Sequence, residues 1–460
     1  MLNGNVEIIR DFHSDALNAD HRVFRVYLPP DYDQGKDCYP VVYLHDGQWM
    51  FACDGKREAR AANTVDCCAI DLAIDALIRE GQIRPVIMVA IDCDVNIRRQ
   101  QMSHSGPHFA RRMGRRGYVP CFSFEGNPMG FQYQAYVADE VKPYVDSHYR
   151  TLPQREHTLL AGSSMGGLVS LRMGMYRPEV FGMLGLQSPA VHWETDAFYN
   201  DVVKNYRQKI WLDCGTAEAY YVDNTRFLLQ LLCGLGYAYG RDIAYSLEEG
   251  ASHCAKYFEK RFAHMMLWFF GESAPVCSCE IFARDDAAVA GHVTVLNTRV
   301  RYQNGMVLSD MAAEYRAEPA GAVRIEKNGE VHPLIGTGTV KITCQCGGQT
   351  AEKTLTLKNA LSRDVILSVT ANVPADTPPG GQITYQFFRD QSLPLERCAD
   401  GKYRGFIGVP RDWCFDGYIT RCQPHCSQQC EVAEAAGAAD RRIQARENVN
   451  VEYTVKAWAE

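Results

Sequence analysis

The chain has 460 residues, too many for one hydrophobic core, so two or three domains are expected. Hydrophobic residues make up 46% and charged residues 22%, the balance of an ordinary soluble globular protein. The net charge of -7, with no basic stripe for phosphates, argues against nucleic acid as a partner.

The first residues, MLNGNVE, lack the basic and apolar regions of a secretory signal, and no segment reaches membrane-spanning length. The expectation is a cytoplasmic protein without membrane contact, with export the alternative if a signal has been trimmed. Eighteen cysteines are many. Reduced, mostly buried thiols are the expected state, and disulfides the alternative for an exported chain.

In chain order, residues 21–28 (HRVFRVYL) alternate like a strand, and Pro29-Pro30-Asp31-Tyr32 closes it with turn chemistry. A second strand, residues 41–44, leads into His45-Asp46-Gly47-Gln48. A loop after a central strand can aim a backbone N–H at an oxyanion, and the Gln48 amide is the candidate. Helical spacing follows over 65–78, then a buried strand over 84–92. Residues 93–130 read as a long irregular stretch, a candidate for the acyl or alcohol side of a pocket, with the basic cluster at 111–116 as a solvated loop. Residues 131–149 have the spacing of an amphipathic helix despite Pro143.

The next segment is where the chemistry concentrates. Residues 157–161 form a short apolar strand, 168–175 resume with helical spacing, and Gly162-Ser163-Ser164-Met165-Gly166 lies between. This G-x-S-x-G pattern predicts a strand-to-helix elbow whose middle residue, Ser164, is exposed as a nucleophile. The Met165 amide, at the positive end of the following helix, is a second candidate oxyanion donor. Ser163 is its neighbour and not the nucleophile. A strand near 181–186 precedes Ser188-Pro189-Ala190, and another, over 210–214, runs into Gly215-Thr216-Ala217-Glu218. A serine hydrolase needs a carboxylate to orient its histidine. Glu218 stands at the strand end where that group belongs, with Asp213, inside the strand, as the alternative acid. Residues 242–249 then form a strand, and His253 lies in the small-residue loop before a helix over 256–270. His253 is the candidate base and His45 its rival. The order Ser164, Glu218, His253 is that of an α/β-hydrolase.

Residues 7–272 resemble the putative esterase family of α/β-hydrolases, which includes enterochelin esterases, S-formylglutathione hydrolase, feruloyl and acetyl esterases and mycolyltransferases. The resemblance rests on VYLPPDY (26–32), PVVYLHDGQ (40–48), YRTL (149–152), GSSMGG (162–167), SPA (188–190), LDCGTAE (212–218) and GASHCAKYF (250–258). It implies an α/β fold with a mainly parallel central sheet. It also implies a Ser164, Glu218, His253 triad with Gln48 and Met165 as oxyanion donors. Nothing in the sequence implies a nucleotide, flavin or catalytic metal. Acylated carbohydrate and hydroxycinnamoyl esters are the leading substrate class, with siderophore esters, acyl transfer or a non-catalytic scaffold as alternatives. One departure is that many relatives carry an Arg-x-x-Glu-type segment where this chain reads RRQQMS (98–103).

Beyond 274 the pattern becomes short alternating strands broken by Gly, Pro and Asn. Domains are therefore expected at 1–274, 275–362 and 363–460. The second resembles a bacterial Ig-like sandwich and reads as a spacer. The third resembles a starch-binding-type carbohydrate-binding sandwich, with possible polysaccharide contact. Where such modules place sugar-stacking tryptophans, this chain has Arg389 to Leu393 and Cys422 to Cys426. Cys277, Cys279, Cys344 and Cys346 could pair thiols on one strand face, and Cys422, His425, Cys426 and Cys430 crowd one loop, without a standard zinc spacing.

Overall fold

Strands that are apolar along their whole length can only be central, covered on both faces by helices. Val41–Leu44 and Ile87–Ile91 are buried at every position, and so are Thr158–Ser163 and Met183–Gln187. The computed structural model describes residues 4–52, 68–104, 112–114, 117–119, 126–191 and 205–458, apart from 217, 219, 250, 252, 284, 293, 310–312, 327–328, 347, 378–381, 388–390, 423–428 and 434–441.

The four central strands belong to an eight-stranded sheet. It comprises β1 (Asn5–Ser14), β2 (Ala19–Leu28), β3 (Val41–Leu44), β4 (Ile87–Ile91), β5 (Thr158–Ser163), β6 (Met183–Gln187), β7 (Lys209–Gly215) and β8 (Ile243–Glu248). Their spatial order is β1-β2-β4-β3-β5-β6-β7-β8. β1 and β2 pair antiparallel, as do β2 and β4, and every pair from β4 to β8 is parallel. Parallel strands send all their outgoing loops to one edge, so the segments after β3, β5, β7 and β8 emerge together.

The helices are α1 (Gly47–Met50), α2 (Ile70–Arg79), α3 (Arg98–Gln101), α4 (Gly130–Ala135), α5 (Lys142–His148), α6 (Met165–Tyr176), α7 (Tyr220–Gly234) and α8 (Ala255–Phe270). Two apolar clusters lie on the two faces of the sheet. One packs Phe24, Tyr43, Val89, Leu160 and Leu212 against Tyr133, Leu168 and Leu228, and the other packs Val42, Met88, Leu159 and Trp211 against Ile74, Phe262 and Met266. Among the described residues no helix is long and apolar enough to cross a membrane.

Two sequence expectations are corrected here, and a third, the helix despite Pro143, holds with a change of winding. The helix expected over 131–149 contains a π-helical turn, Tyr136–Val141, between α4 and α5. Pro143 supplies no N–H and its ring crowds the carbonyl four residues back, so the chain changes winding just before it. The helix expected over 65–78 begins at Ile70, with 65–67 outside the described residues. The stretch 93–130 is not wholly irregular: it holds α3 and a hairpin of Arg112–Gly114 with Gly117–Val119, so part of the basic cluster is strand.

After α8 the architecture changes to strands alone. Val276–Ala283 (β9), Ala287–Val289 (β10), Thr294–Tyr302 (β11) and Val307–Ser309 (β12) begin a region that continues to Lys358. Its strands form one sheet around β9 and β11 and a second around Gly338–Cys346 and Gln349–Lys358. Ile281, Leu296, Val331, Ile342 and Leu355 fill the space between them. From Val365 a further sheet of nine strands wraps a core of Leu367, Val369, Tyr385, Ile419 and Val455. Both regions have the layered form of β-sandwiches. Most of the loop positions compared above with sugar-stacking sites, 389–390 and 423–426, lie outside the described residues, as does His425 of the cysteine-rich loop.

The expectation of reduced thiols is corrected at one place. Cys279 and Cys346 form a disulfide between the two sheets of the 276–358 region, while Cys277 is exposed and Cys344 buried. The register of β9 shifts between Val276 and Ser278, so Cys277 lies beside an irregularity and is exposed, whereas Cys279 meets Cys346. Peptide mapping without reduction is expected to recover the Cys279 and Cys346 peptides linked, and to separate them after reduction. Unlinked peptides under both conditions would contradict the pairing.

Candidate active site

The elbow is built by close packing. Ser164 has φ 60° and ψ −118°, a backbone conformation that non-glycine residues rarely occupy and that persists only where the surroundings enforce it. Its N–H donates to the Gln187 carbonyl (2.9 Å), and its carbonyl accepts from Leu168 (3.1 Å) and Ala190 (2.9 Å). A Cβ on Gly162 would come within 2.6 Å of the Gly166 backbone, so strand and helix meet at a distance only glycine allows. α6 is buried from Met165 to Met175, which fixes its N-terminus behind Ser164. Ser163 points the other way, donating to Gln187 Oε1 (3.0 Å).

Glu218, buried just beyond β7, faces His253 beyond β8. His253 Nδ1 and Glu218 Oε2 are 2.7 Å apart. The other carboxylate oxygen, Oε1, accepts from the Ser188 hydroxyl (2.8 Å), the Gly215 amide (2.8 Å) and Arg261 Nη1 (2.9 Å). Burial opposes ionisation of Glu218, but the Arg261 charge, the His253 contact and the Ser188 hydroxyl outweigh it and hold the carboxyl down to about 2. Glu218 therefore carries its charge at neutral pH. The His253 ring lies 4.6 Å from Tyr221 and meets Phe258 edge-on at 5.0 Å.

Arg261 of α8 is fully buried and joins three groups. Its Nη2 donates to the Ser188 hydroxyl (2.9 Å), Nη1 to Glu218, and Nε lies 3.0 Å from Asp213 Oδ1. Asp213 also accepts from Trp211 Nε1 (2.8 Å) and Gln187 Nε2 (3.3 Å). Burial lifts the Asp213 carboxyl to about 6, against the pull of Arg261. The structure thus brings Glu218 to His253 and sets Asp213 in the sheet as the second partner of Arg261. Removing one member of a buried charged set leaves the others uncompensated.

The loop after β3 closes the other side. Asp46 is left-handed, at φ 60° and ψ 39°, and α1 begins directly after it, with Gln48 in its first turn. Arg98 of α3 grips Asp46 through Nε (2.6 Å) and Nη2 (2.8 Å). The Gln48 side chain is held by Cys93: Nε2 donates to Sγ (2.9 Å), while the Cys93 amide donates to Oε1 (3.1 Å). Burial pushes the Cys93 thiol up to about 12, so it packs as a neutral group. A Cβ on Gly166 would sit 3.3 Å from Asp46 Oδ2 and 3.4 Å from His45 Cβ, which places this loop against the elbow.

His45 is fully buried and pairs through Nδ1 with the Tyr133 hydroxyl (2.9 Å). Burial, with Arg98 adding and Asp46 opposing, pushes its imidazole down to about 4. It packs as a neutral core histidine, apart from the Glu218 carboxylate.

Gly47 gives a direct test of the loop. A Cβ there would lie 2.4 Å from the Ala90 carbonyl carbon and 2.6 Å from the Ile91 nitrogen, both backbone atoms that cannot swing away. Gly47→Ala is expected to displace Gln48 and lower kcat by about tenfold to a hundredfold, with a smaller change in KM. An unchanged kcat in a folded variant would remove this loop from the chemistry.

Arg261, Ser188, Arg98 and Cys93 were not singled out for roles by sequence reasoning. Arg261 left a trace: it lies three residues after Phe258 and four before Met265, a charge on the apolar face of a helix. The other three make their contacts through space: Ser188 with Glu218, 30 residues on, and Arg98 and Cys93 with Asp46, 52 and 47 residues back.

Residues 14–268, more than half of the chain, match the family described as Putative esterase. The Bacillus subtilis protein YbbA is 22% identical over 265 residues, covering 55% of this chain and 95% of YbbA. An endo-1,4-β-xylanase/feruloyl esterase of Xylanibacter ruminicola is 27% identical over 221 residues, covering 47% of this chain and 25% of that protein. Among solved structures, a ferulic acid esterase of Anaeromyces mucronatus aligns at 20% identity with a TM-score of 0.40, over 57% of this chain and 90% of that one.

Proposed function

We propose, from the premise that this chain belongs to the Putative esterase family and is a carboxylic-ester hydrolase, that it works through a Ser164, Glu218, His253 triad and a covalent acyl-enzyme. The observation that carries the reading is the conjunction of the strained Ser164 elbow with the 2.7 Å pair of His253 and a Glu218 carboxylate held ionised.

With Nδ1 committed to Glu218, His253 offers Nε2 to the Ser164 hydroxyl and takes its proton as Oγ attacks the ester carbonyl. The tetrahedral oxyanion forms against the Gln48 and Met165 amides, each of the kind worth about 3 to 4 kcal/mol of barrier. The C–O bond to the alcohol then breaks, the alcohol leaves with the proton from His253, and the acyl group stays on Ser164. Water, deprotonated by His253, attacks the acyl carbon, and Ser164 departs with the proton. If a second alcohol replaces that water, the same steps transfer the acyl group.

The substrate class proposed is a hydroxycinnamoyl ester or an acylated carbohydrate. The Xylanibacter relative, named for feruloyl esterase activity, supports this choice. Comparison of kcat/KM for methyl ferulate, an acetylated xylo-oligosaccharide and a cyclic tri-catecholate lactone tests it. The proposal expects methyl ferulate or the acetylated sugar to exceed the lactone by about tenfold or more. A preference for the lactone would replace this class with siderophore esters.

A further inference from the structure

The 276–358 region reads in sequence as a spacer, yet it touches the hydrolase sheet at the strand that leads to His253. Among the described residues β8 is the last strand of the eight, and its outer edge has no strand partner within that sheet. β12 lies along it. The Leu247 amide donates to the Ser309 hydroxyl (2.9 Å), and the Ser246 hydroxyl donates to the Val307 carbonyl (3.1 Å). Ser309, almost fully buried, is itself fixed by Asn297 Nδ2 at 3.1 Å. One residue beyond β8, Glu249 Oε2 lies 3.2 Å from Arg299 Nη1 of β11.

The apolar contacts agree. Met306 and Leu308 enter the core on one face of the sheet, with Trp211 and Met265, and Phe282 of β9 enters the core on the other face, with Tyr245 and Leu247. The region therefore straddles the sheet edge and buries side chains on both sides. This is how an edge strand is removed from solvent, and it fixes the end of β8 in position. His253 is the fourth residue after Glu249. On the inner side, Ala251 is fully buried against Gly215, where a Cβ would come within 2.1 Å of the Ala251 carbonyl oxygen. The histidine loop is thus held between Gly215 within and Arg299 and Ser309 without.

We propose that Ser309 and Arg299 are positioning residues of the esterase site: the 276–358 region holds β8 and Glu249 so that His253 stays on Glu218. The inference rests on the triad reading above. It assigns the region a part in the reaction in place of a passive spacer.

Full-length Arg299→Ala, Ser309→Ala and Glu249→Gln are compared with wild type for p-nitrophenyl acetate hydrolysis and for the rate of fluorophosphonate labelling, well below each variant's Tm. Both rates are expected to fall together by about tenfold or more, because a shift of about 1 Å in a catalytic group is costly even when its origin is remote. KM is expected to stay within about twofold, which simple loss of folded protein or of substrate binding would not produce together with slower labelling. Arg299→Lys is expected to recover part of the loss. The Arg299→Ala/Glu249→Gln double variant is expected to be no worse than the poorer single one. If Arg299→Ala does not fold, Glu249→Gln, which keeps the shape of the side chain, decides. Folded variants with wild-type kcat and labelling rate would overturn the positioning role while the wild type remains Ser164-dependent. Activity that survives Ser164→Ala would instead overturn the triad reading itself.

Discussion

Ser164→Ala is expected to lower kcat for short p-nitrophenyl esters by about 10⁴- to 10⁶-fold, since members of a nucleophile and base pair act as a unit. The fold should not suffer: Ser164 owes its conformation to backbone hydrogen bonds with Gln187, Leu168 and Ala190, which alanine retains. Ser163→Ala is the matched control. Its hydroxyl is spent on Gln187 inside the protein, so its removal is expected to cost stability and leave most of kcat. Steady-state kinetics on the pair, with melting curves, distinguishes the two serines. A large kcat loss in Ser163→Ala with little in Ser164→Ala would reverse the assignment.

The second large effect is expected at Glu218. Glu218→Gln keeps the shape and can still accept from Ser188, Gly215 and Arg261 at one oxygen, but it presents an amide where His253 meets a carboxylate. The imidazole then loses the charge that stabilises its protonated form and the acceptor that fixes its tautomer. By analogy with the corresponding change in serine proteases, kcat falls by about 10⁴-fold. Asp213→Asn, five residues earlier within β7, is expected to cost far less activity and more stability. It removes a partner of the buried Arg261 without touching His253. The pH dependence follows from the sign of the shift. Glu218 is held down to about 2 in the folded chain, below the ordinary 4.5, so its contribution is complete above about pH 4.5 and is lost as pH falls toward 2. The Tm gap between wild type and Glu218→Gln is expected to narrow over that interval. A gap independent of pH would mean that the carboxylate is not held by its charge.

Much of this site is legible in the sequence because its logic is local. The elbow is a five-residue pattern in which sterics require glycine two residues before Ser164 and leave little room for a side chain two residues after it. Glu218 and His253 each follow a strand whose apolar run is plain, and parallel strands deliver such loops to one edge. What the sequence does not display is pairing through space. Arg261 reaches Glu218 across 43 residues, Arg98 reaches Asp46 across 52, and Cys279 meets Cys346 across 67. In none of these pairs does local spacing name the partner. The contact of Ser309 with Leu247 is of the same kind, and it explains how a region with the composition of a spacer comes to rest beside the histidine loop. Winding inside a helix was equally hidden: Pro143 signalled a disturbance, and the fold answered with a π turn in place of a break.

The most direct measurement of the central claim is fluorophosphonate labelling of the full chain followed by peptide mapping. One adduct per chain, on the peptide containing Ser164 and absent from Ser164→Ala, is the result this account predicts. An adduct at another residue, or ester hydrolysis that persists undiminished in Ser164→Ala, would contradict it.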